Sequence, residues 1–212
     1  MGGFCMTNFL LAVLSLPGVF PGEADYMEAL LGAGVERLHL RKPEATPEEL
    51  EELLQRLAPR WAERLVLHGP RSRELALLYG VPNVHGAVKY RDGLGYSGGG
   101  PMVDASGLAL STSVHDWEES ARLPAGLAYA FISPLFDSIS KRGYNANAGL
   151  LKRPKRELPC LPVGLGGVSG GTIGLMLEHG WKGAAVLGWI WEEPKLAVKR
   201  LEELQKIIAN GK

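Results

Sequence analysis

Gly183-Ala184-Ala185-Val186-Leu187, followed by an amphipathic helical pattern over 194–208, decides the fold. The run is small and apolar throughout, as expected of a parallel strand covered on both faces. Seven earlier runs read the same way. They are Phe9-Leu10-Leu11-Ala12-Val13-Leu14, Val35-Glu36-Arg37-Leu38-His39-Leu40, Leu65-Val66-Leu67, Asn83-Val84-His85, Leu108-Ala109-Leu110-Ser111, Tyr129-Ala130-Phe131-Ile132 and Leu161-Pro162-Val163-Gly164. Helical patterns over 24–31, 46–57, 72–78, 117–122 and 172–178 lie between them. The best marked starts at Thr46, an N-cap followed by Pro47 in the first turn and Glu49 to complete a capping box. Leu50, Leu53, Leu54 and Leu57 follow at helical spacing. Residues 90–107 are glycine-rich and predict a loop with at most a short helix. Eight βα units in about 200 residues sit at the lower end of the range for a (β/α)8 barrel. A doubly wound open sheet is the rival. The eighth strand and the closing helix favour a compact α/β TIM barrel, one domain over 8–210.

The composition sets outer bounds. Lys+Arg and Asp+Glu are both 23 in 212 residues, so no basic surplus argues for nucleic acid. Hydrophobic residues at 46% suit a globular protein. Cys5 and Cys160 form no ligand or redox motif, and a reduced, cytoplasmic protein is the expectation. The apolar start over 9–16 lacks a basic flank and is too short to span a membrane. Trp181, Trp189 and Trp191 read as core; a subunit interface is the other reading, so a homo-oligomer stays open.

In such a barrel the chemistry sits at the C-terminal ends of the strands, with phosphate commonly bound after strands seven and eight. Gly164-Leu165-Gly166-Gly167 and Leu187-Gly188 occupy those two places. Glycine lets backbone amides approach a phosphate closely, although it also serves tight turns. His39, His68, His85 and His115 fall at strand ends, while His179 reads as a surface residue within a helix. Imidazoles on one rim can hold a metal or move protons. With no His-x-His pair and no ordered carboxylates, metal is the weaker option. His115, next to Ser111, Thr112 and Ser113, is the first choice for acid/base work. Arg41 and Lys42 put two cations beside His39, for anion binding or as solvated charges. After strand six, Ser133-Pro134-Leu135-Phe136-Asp137-Ser138-Ile139-Ser140-Lys141 supplies hydroxyls and a lysine to the rim.

Taken together, these segments resemble the thiamine phosphate synthase/TenI family of small barrels, over nearly the whole length. The carriers are His39-Leu40-Arg41-Lys42, Ser113-Val114-His115, Ser133-Pro134-Leu135-Phe136 with Ser138-Ile139-Ser140-Lys141, Gly164-Leu165-Gly166-Gly167 and Ala185-Val186-Leu187-Gly188. The resemblance implies one of two activities on a thiazole phosphate. Synthases couple it to a pyrimidine diphosphate with magnesium and release pyrophosphate. TenI-type members move a proton to make the aromatic tautomer, without metal. The family's synthase pattern carries aspartates after strands three and four. Here His68-Gly69 and His85-Gly86-Ala87-Val88-Lys89-Tyr90 stand there, and nothing in the spacing of Asp92 makes it a replacement. The departure tilts the expectation to a metal-independent tautomerase.

The implied roles follow position by position. His115 is the catalytic proton shuttle, helped by Ser113 and Lys141. Arg41, Lys42, His39, Ser111, Ser138, Ser140, Gly166, Gly167, Leu187 and Gly188 line the substrate and phosphate site. No metal ligand is assigned, and magnesium enters only under the synthase reading. A phosphate-binding barrel without chemistry and an unrelated sugar-phosphate isomerase are further alternatives; the latter gives no account of Ser138-Ile139-Ser140-Lys141.

Overall fold

Hydrogen bonding closes the sheet. In the computed structural model, which describes residues 9–86, 106–137 and 148–211, strands β1 (Leu10–Leu14), β2 (Arg37–Leu40), β3 (Leu65–His68), β4 (Asn83–His85), β5 (Ala109–Val114), β6 (Tyr129–Ile132), β7 (Leu161–Leu165) and β8 (Gly183–Val186) form one closed parallel barrel in chain order. β8 returns to β1 with Leu10 opposite Gly183 and Val13 opposite Val186. That pairing excludes the open doubly wound sheet. The fold is a (β/α)8 barrel.

Around it lie α1 (Glu23–Gly32), α2 (Pro47–Trp61), α3 (Ser72–Tyr79), α4 (Trp117–Ala121), α5 (Ala148–Leu151), α6 (Ile173–Glu178), α7 (Gly188–Trp191) and α8 (Ala197–Asn210). The start of α2 forms as its sequence requires. The Thr46 hydroxyl accepts from the Glu49 amide at 3.2 Å, and the Glu49 carboxylate accepts from the Thr46 amide at 2.8 Å. Trp181 and Trp191 are buried, each indole donating to a backbone carbonyl, of Leu151 at 2.8 Å and of Leu14 at 2.6 Å. Trp189 is half-buried with the Arg200 guanidinium over its ring. None of the described helices is long and apolar enough to cross a membrane.

Four local expectations change. β5 runs three residues further than Ser111, because Leu110, Thr112 and Val114 continue an outward face. β2 starts two residues late: the Glu36 carboxylate turns back to accept from the Leu11 amide at 2.8 Å. The chain after β8 turns at once into α7, a short helix that the run of tryptophans did not signal. His179 is exposed and lies at the C-cap of α6 rather than inside it.

Period-two alternation splits the apolar residues into two cores. Leu11, Val13, Leu38, Leu40, Leu65 and Leu67 pack outward with the helices, in the larger cluster. Ala12, Leu14, Tyr129, Phe131, Val163 and Ala185 form a smaller cluster inside the barrel. These inner residues come from β1 and β6–β8. The matching positions on β2–β5 carry His39, His68, His85, Ser111 and Ser113, with Val66 as the apolar exception. One half of the lumen is therefore apolar and the other half polar.

Candidate active site

His39 is fully buried, and its ring bridges the lumen. Its Nδ1 lies 2.8 Å from Nε2 of His68, and its Nε2 lies 2.7 Å from the Tyr129 hydroxyl. His68 stacks on His85 with ring centroids 4.3 Å apart, and Phe131 also stacks on His85, at 5.1 Å. Ser111 and Ser113 take the two nitrogens of His85, each at 2.9 Å from a hydroxyl oxygen. Because the Ser111 hydroxyl also points at the Val84 carbonyl, 3.4 Å away, it accepts from His85 Nδ1–H. The Ser113 hydroxyl then donates to His85 Nε2.

Among the described residues no carboxylate offsets charge in this group, and burial favours the neutral form of all three imidazoles. Burial lowers the His85 pKa to about 3, with the Arg41 charge as the second cause. His39 and His68 are pushed well below the ordinary imidazole range, first by burial and then by neighbouring histidines. Arg41 also acts on His68. The exposed Arg41 is held at its backbone, whose amide donates to the Ser15 hydroxyl at 2.9 Å.

Lys42 does not share that rim. It is buried, and its ammonium contacts both Glu23 oxygens at 2.5 and 2.6 Å and the Gly18 carbonyl at 2.7 Å. Strand alternation explains the correction. Arg41 and Lys42 are adjacent, so one reaches the mouth while the other turns outward beneath the β1–α1 loop. Its role here is to clamp the entry to α1. Ser111 and Ser113 likewise hold His85 rather than His115.

His115 follows β5 directly and is exposed. Its amide donates to the Glu119 carboxylate at 3.0 Å, and Nδ1 lies 3.3 Å from the Ser133 carbonyl. A carbonyl can only accept, so that contact favours the tautomer with the proton on Nδ1 and the lone pair on Nε2. The loop after β6 starts by lying on the loop after β7. The Leu135 amide donates to Leu165 and the Phe136 amide to Gly166, at 3.0 and 3.1 Å. Gly167, at φ +63°, is required by this approach, since a Cβ there would come within 2.5 Å of the Asp137 carbonyl oxygen. Leu187 and Gly188 enter α7 on the neighbouring strand. Ser138, Ser140, Lys141 and Asp92 lie outside the described residues.

Sequence reading put the four strand-end histidines on one rim. The structure separates them: His115 stands at the mouth between β5 and β6, and the other three sit together inside the polar lumen. Their one-sided placement was available as a signal. Each occupies the inward phase of a strand already recognised, on β2, β3 and β4 in succession.

A closed eight-stranded barrel with ionisable groups gathered at the C-terminal mouth is the architecture of barrel enzymes generally. Searches of protein-family models and of curated proteins give no match. Among solved structures, the chain is similar to a thiamine phosphate pyrophosphorylase from Bacteroides thetaiotaomicron, at TM-score 0.71 and 22% identity over 94% of this chain and 97% of that one. It is equally similar to the thiamine phosphate pyrophosphorylase from Pyrococcus furiosus, at TM-score 0.71 and 19% identity over 97% and 98%. A mutant tryptophan synthase α-subunit from Pyrococcus furiosus matches at TM-score 0.65 and 14% identity over 96% and 98%. The first two, thiamine phosphate pyrophosphorylases by name, support the thiamine phosphate synthase/TenI resemblance of the sequence motifs. At these identities the likeness is one of fold.

Proposed function

We propose that this barrel acts on a thiazole phosphate by metal-independent proton transfer, as a TenI-like tautomerase. The observation that carries the reading is His115, an exposed imidazole at the end of β5 whose Nδ1 faces the Ser133 carbonyl at 3.3 Å. In that tautomer Nε2 removes a proton from one ring position. The resulting imidazolium returns it to another, and the ring becomes aromatic. Amides of Gly166, Gly167 and Gly188, with Leu187 leading into α7, would take the phosphate. Arg41 and Lys141 would take the carboxylate, and Ser138 and Ser140 would line the same loop. Lys42 has no part in substrate binding, and Ser113 with Ser111 acts on the lumen wall through His85.

The test is a magnesium-free assay of the thiazole phosphate carboxylate, following aromatisation by proton NMR. His115→Ala should lower kcat by about 100- to 10,000-fold, the usual contribution of a positioned acid/base. Undiminished turnover in that variant refutes the role. The fold shared with two thiamine phosphate pyrophosphorylases favours a second reading, synthase activity. It predicts magnesium-dependent pyrophosphate release from the pyrimidine diphosphate, abolished by a chelator.

A further inference from the structure

The three lumen histidines have ligand geometry that the proton-transfer reading does not use. One nitrogen from each of His39, His68 and His85 lies within 4.8 Å of the other two. We propose that this trio binds a single divalent transition-metal ion, zinc above all, with three imidazole ligands and a fourth position open to water or an anionic oxygen.

The chemistry of the donor set selects the ion. Imidazole nitrogen suits zinc, copper and nickel, whereas magnesium demands oxygen ligands, which this group does not offer. A tetrahedral ion with bonds of about 2.0–2.1 Å sets its ligand nitrogens roughly 3.3 Å apart. His39 Nδ1 and His68 Nε2, now 2.8 Å apart, move slightly outward, and His85 turns inward about its terminal side-chain torsion. Two hydrogen bonds are replaced, His39–His68 and Ser113–His85: with His68 Nε2–H as the donor to His39 Nδ1, that proton moves to His68 Nδ1, so no net proton is lost.

The supporting contacts are already built. With Nδ1 as the ligand, His39 donates Nε2–H to the Tyr129 hydroxyl, 2.7 Å away. With Nε2 as the ligand, His85 keeps Nδ1–H on the Ser111 hydroxyl at 2.9 Å, and Ser113 rotates away. Such outer contacts fix the tautomer and orientation of metal-bound histidines. Phe131 packs against two of the rings and excludes water from one side. His68, the half-buried member, leaves the other side approachable from the mouth. The Arg41 charge there disfavours a bare dication and favours an anionic fourth ligand. This is a different ion from the magnesium of the synthase reading, and its binding is measured without substrate.

The experiment strips the full-length protein with chelator, dialyses it, and titrates it with cobalt(II) chloride, followed by displacement with zinc chloride. A visible d–d band of four-coordinate intensity should grow to one equivalent and vanish as zinc replaces cobalt. His68→Gln and His85→Gln should each weaken cobalt binding by at least about 100-fold, and Ser111→Ala by about 10- to 100-fold. His179→Gln should leave it unchanged. Circular dichroism identifies folded variants, and His68→Gln, at the half-buried position, carries the test should His85→Gln fail to fold. Absence of the band in the wild type overturns the proposal. So does a band that survives both single histidine substitutions, or one with a thiolate charge-transfer transition lost in Cys160→Ser.

Discussion

Replacing Lys42 by Met separates a structural lysine from a substrate-binding one. The ammonium and the Glu23 carboxylate are both without exposed side-chain surface, and their closest atoms are 2.5 Å apart. Burial pushes Glu23 up and Lys42 down, so each ion is tolerable only through its partner. Lys42→Met leaves a buried carboxylate unpaired, which typically costs about 3–5 kcal/mol. The Gly18 carbonyl also loses a donor, adding about 1 kcal/mol. Glu23 opens α1, where the helix dipole favours an anion by about 0.3–1 kcal/mol, so the lower half of the range is expected. A domain of this length loses about 2–4 °C per kcal/mol, giving a Tm drop of about 6–16 °C. The double variant Glu23→Leu/Lys42→Met removes both ions and should recover most of that loss. Chemical denaturation and calorimetry measure the cycle. A single-variant loss under about 1 kcal/mol, together with a raised KM for an anionic substrate, would refute the clamp and return Lys42 to the mouth.

Three further outcomes are expected. Gly167→Ala strains a left-handed φ by about 1–2 kcal/mol and drives a Cβ into Asp137, so it should lower both Tm and turnover; an unchanged Tm would mean the two loops are not packed as described. Stability should be full above about pH 6.5, the ordinary imidazole value, and fall on acidification towards pH 3, because His39, His68 and His85 accept protons more readily when unfolded. Each histidine contributes up to about 1.4 kcal/mol per pH unit in that window. Glu23 and Glu36, whose pKa values are raised by burial, act in the opposite direction but are fewer. Urea melts at several pH values read the slope, and substituting all three histidines should flatten it. Lastly, Trp191→Phe removes the 2.6 Å indole donor from the Leu14 carbonyl and should cost about 1–3 kcal/mol, read by the shift in urea midpoint.

Much of this architecture was legible in the chain, for a definite reason. A parallel barrel strand is covered on both faces, so Leu10–Leu14 and Gly183–Val186 stand out as short apolar runs between turn residues. The α2 start was readable to the residue, since a capping box is local chemistry. The ends of β2 and β5 were not, because tertiary partners set them: Glu36 turns back on Leu11, and Ser113 continues the inner face towards His85. Lys42 was misplaced for a related reason. Two adjacent cations look alike in a sequence, and only the phase of the strand sends one to the mouth and the other to Glu23.

The same phase argument accounts for the polar half of the lumen. Inward positions on β2–β5 carry the polar residues that the apolar half of the lumen, on β1 and β6–β8, does without. Burying three imidazoles there opposes folding unless their nitrogens are satisfied, and Tyr129, Ser111, Ser113 and the His39–His68 contact pair five of the six. An apolar filling of those positions would pack the barrel with less risk. A paired polar wall below His115 and Arg41 instead supports the metal site proposed above, whose ion would take one lone pair from each ring and whose open position the Arg41 charge would bias towards an anion.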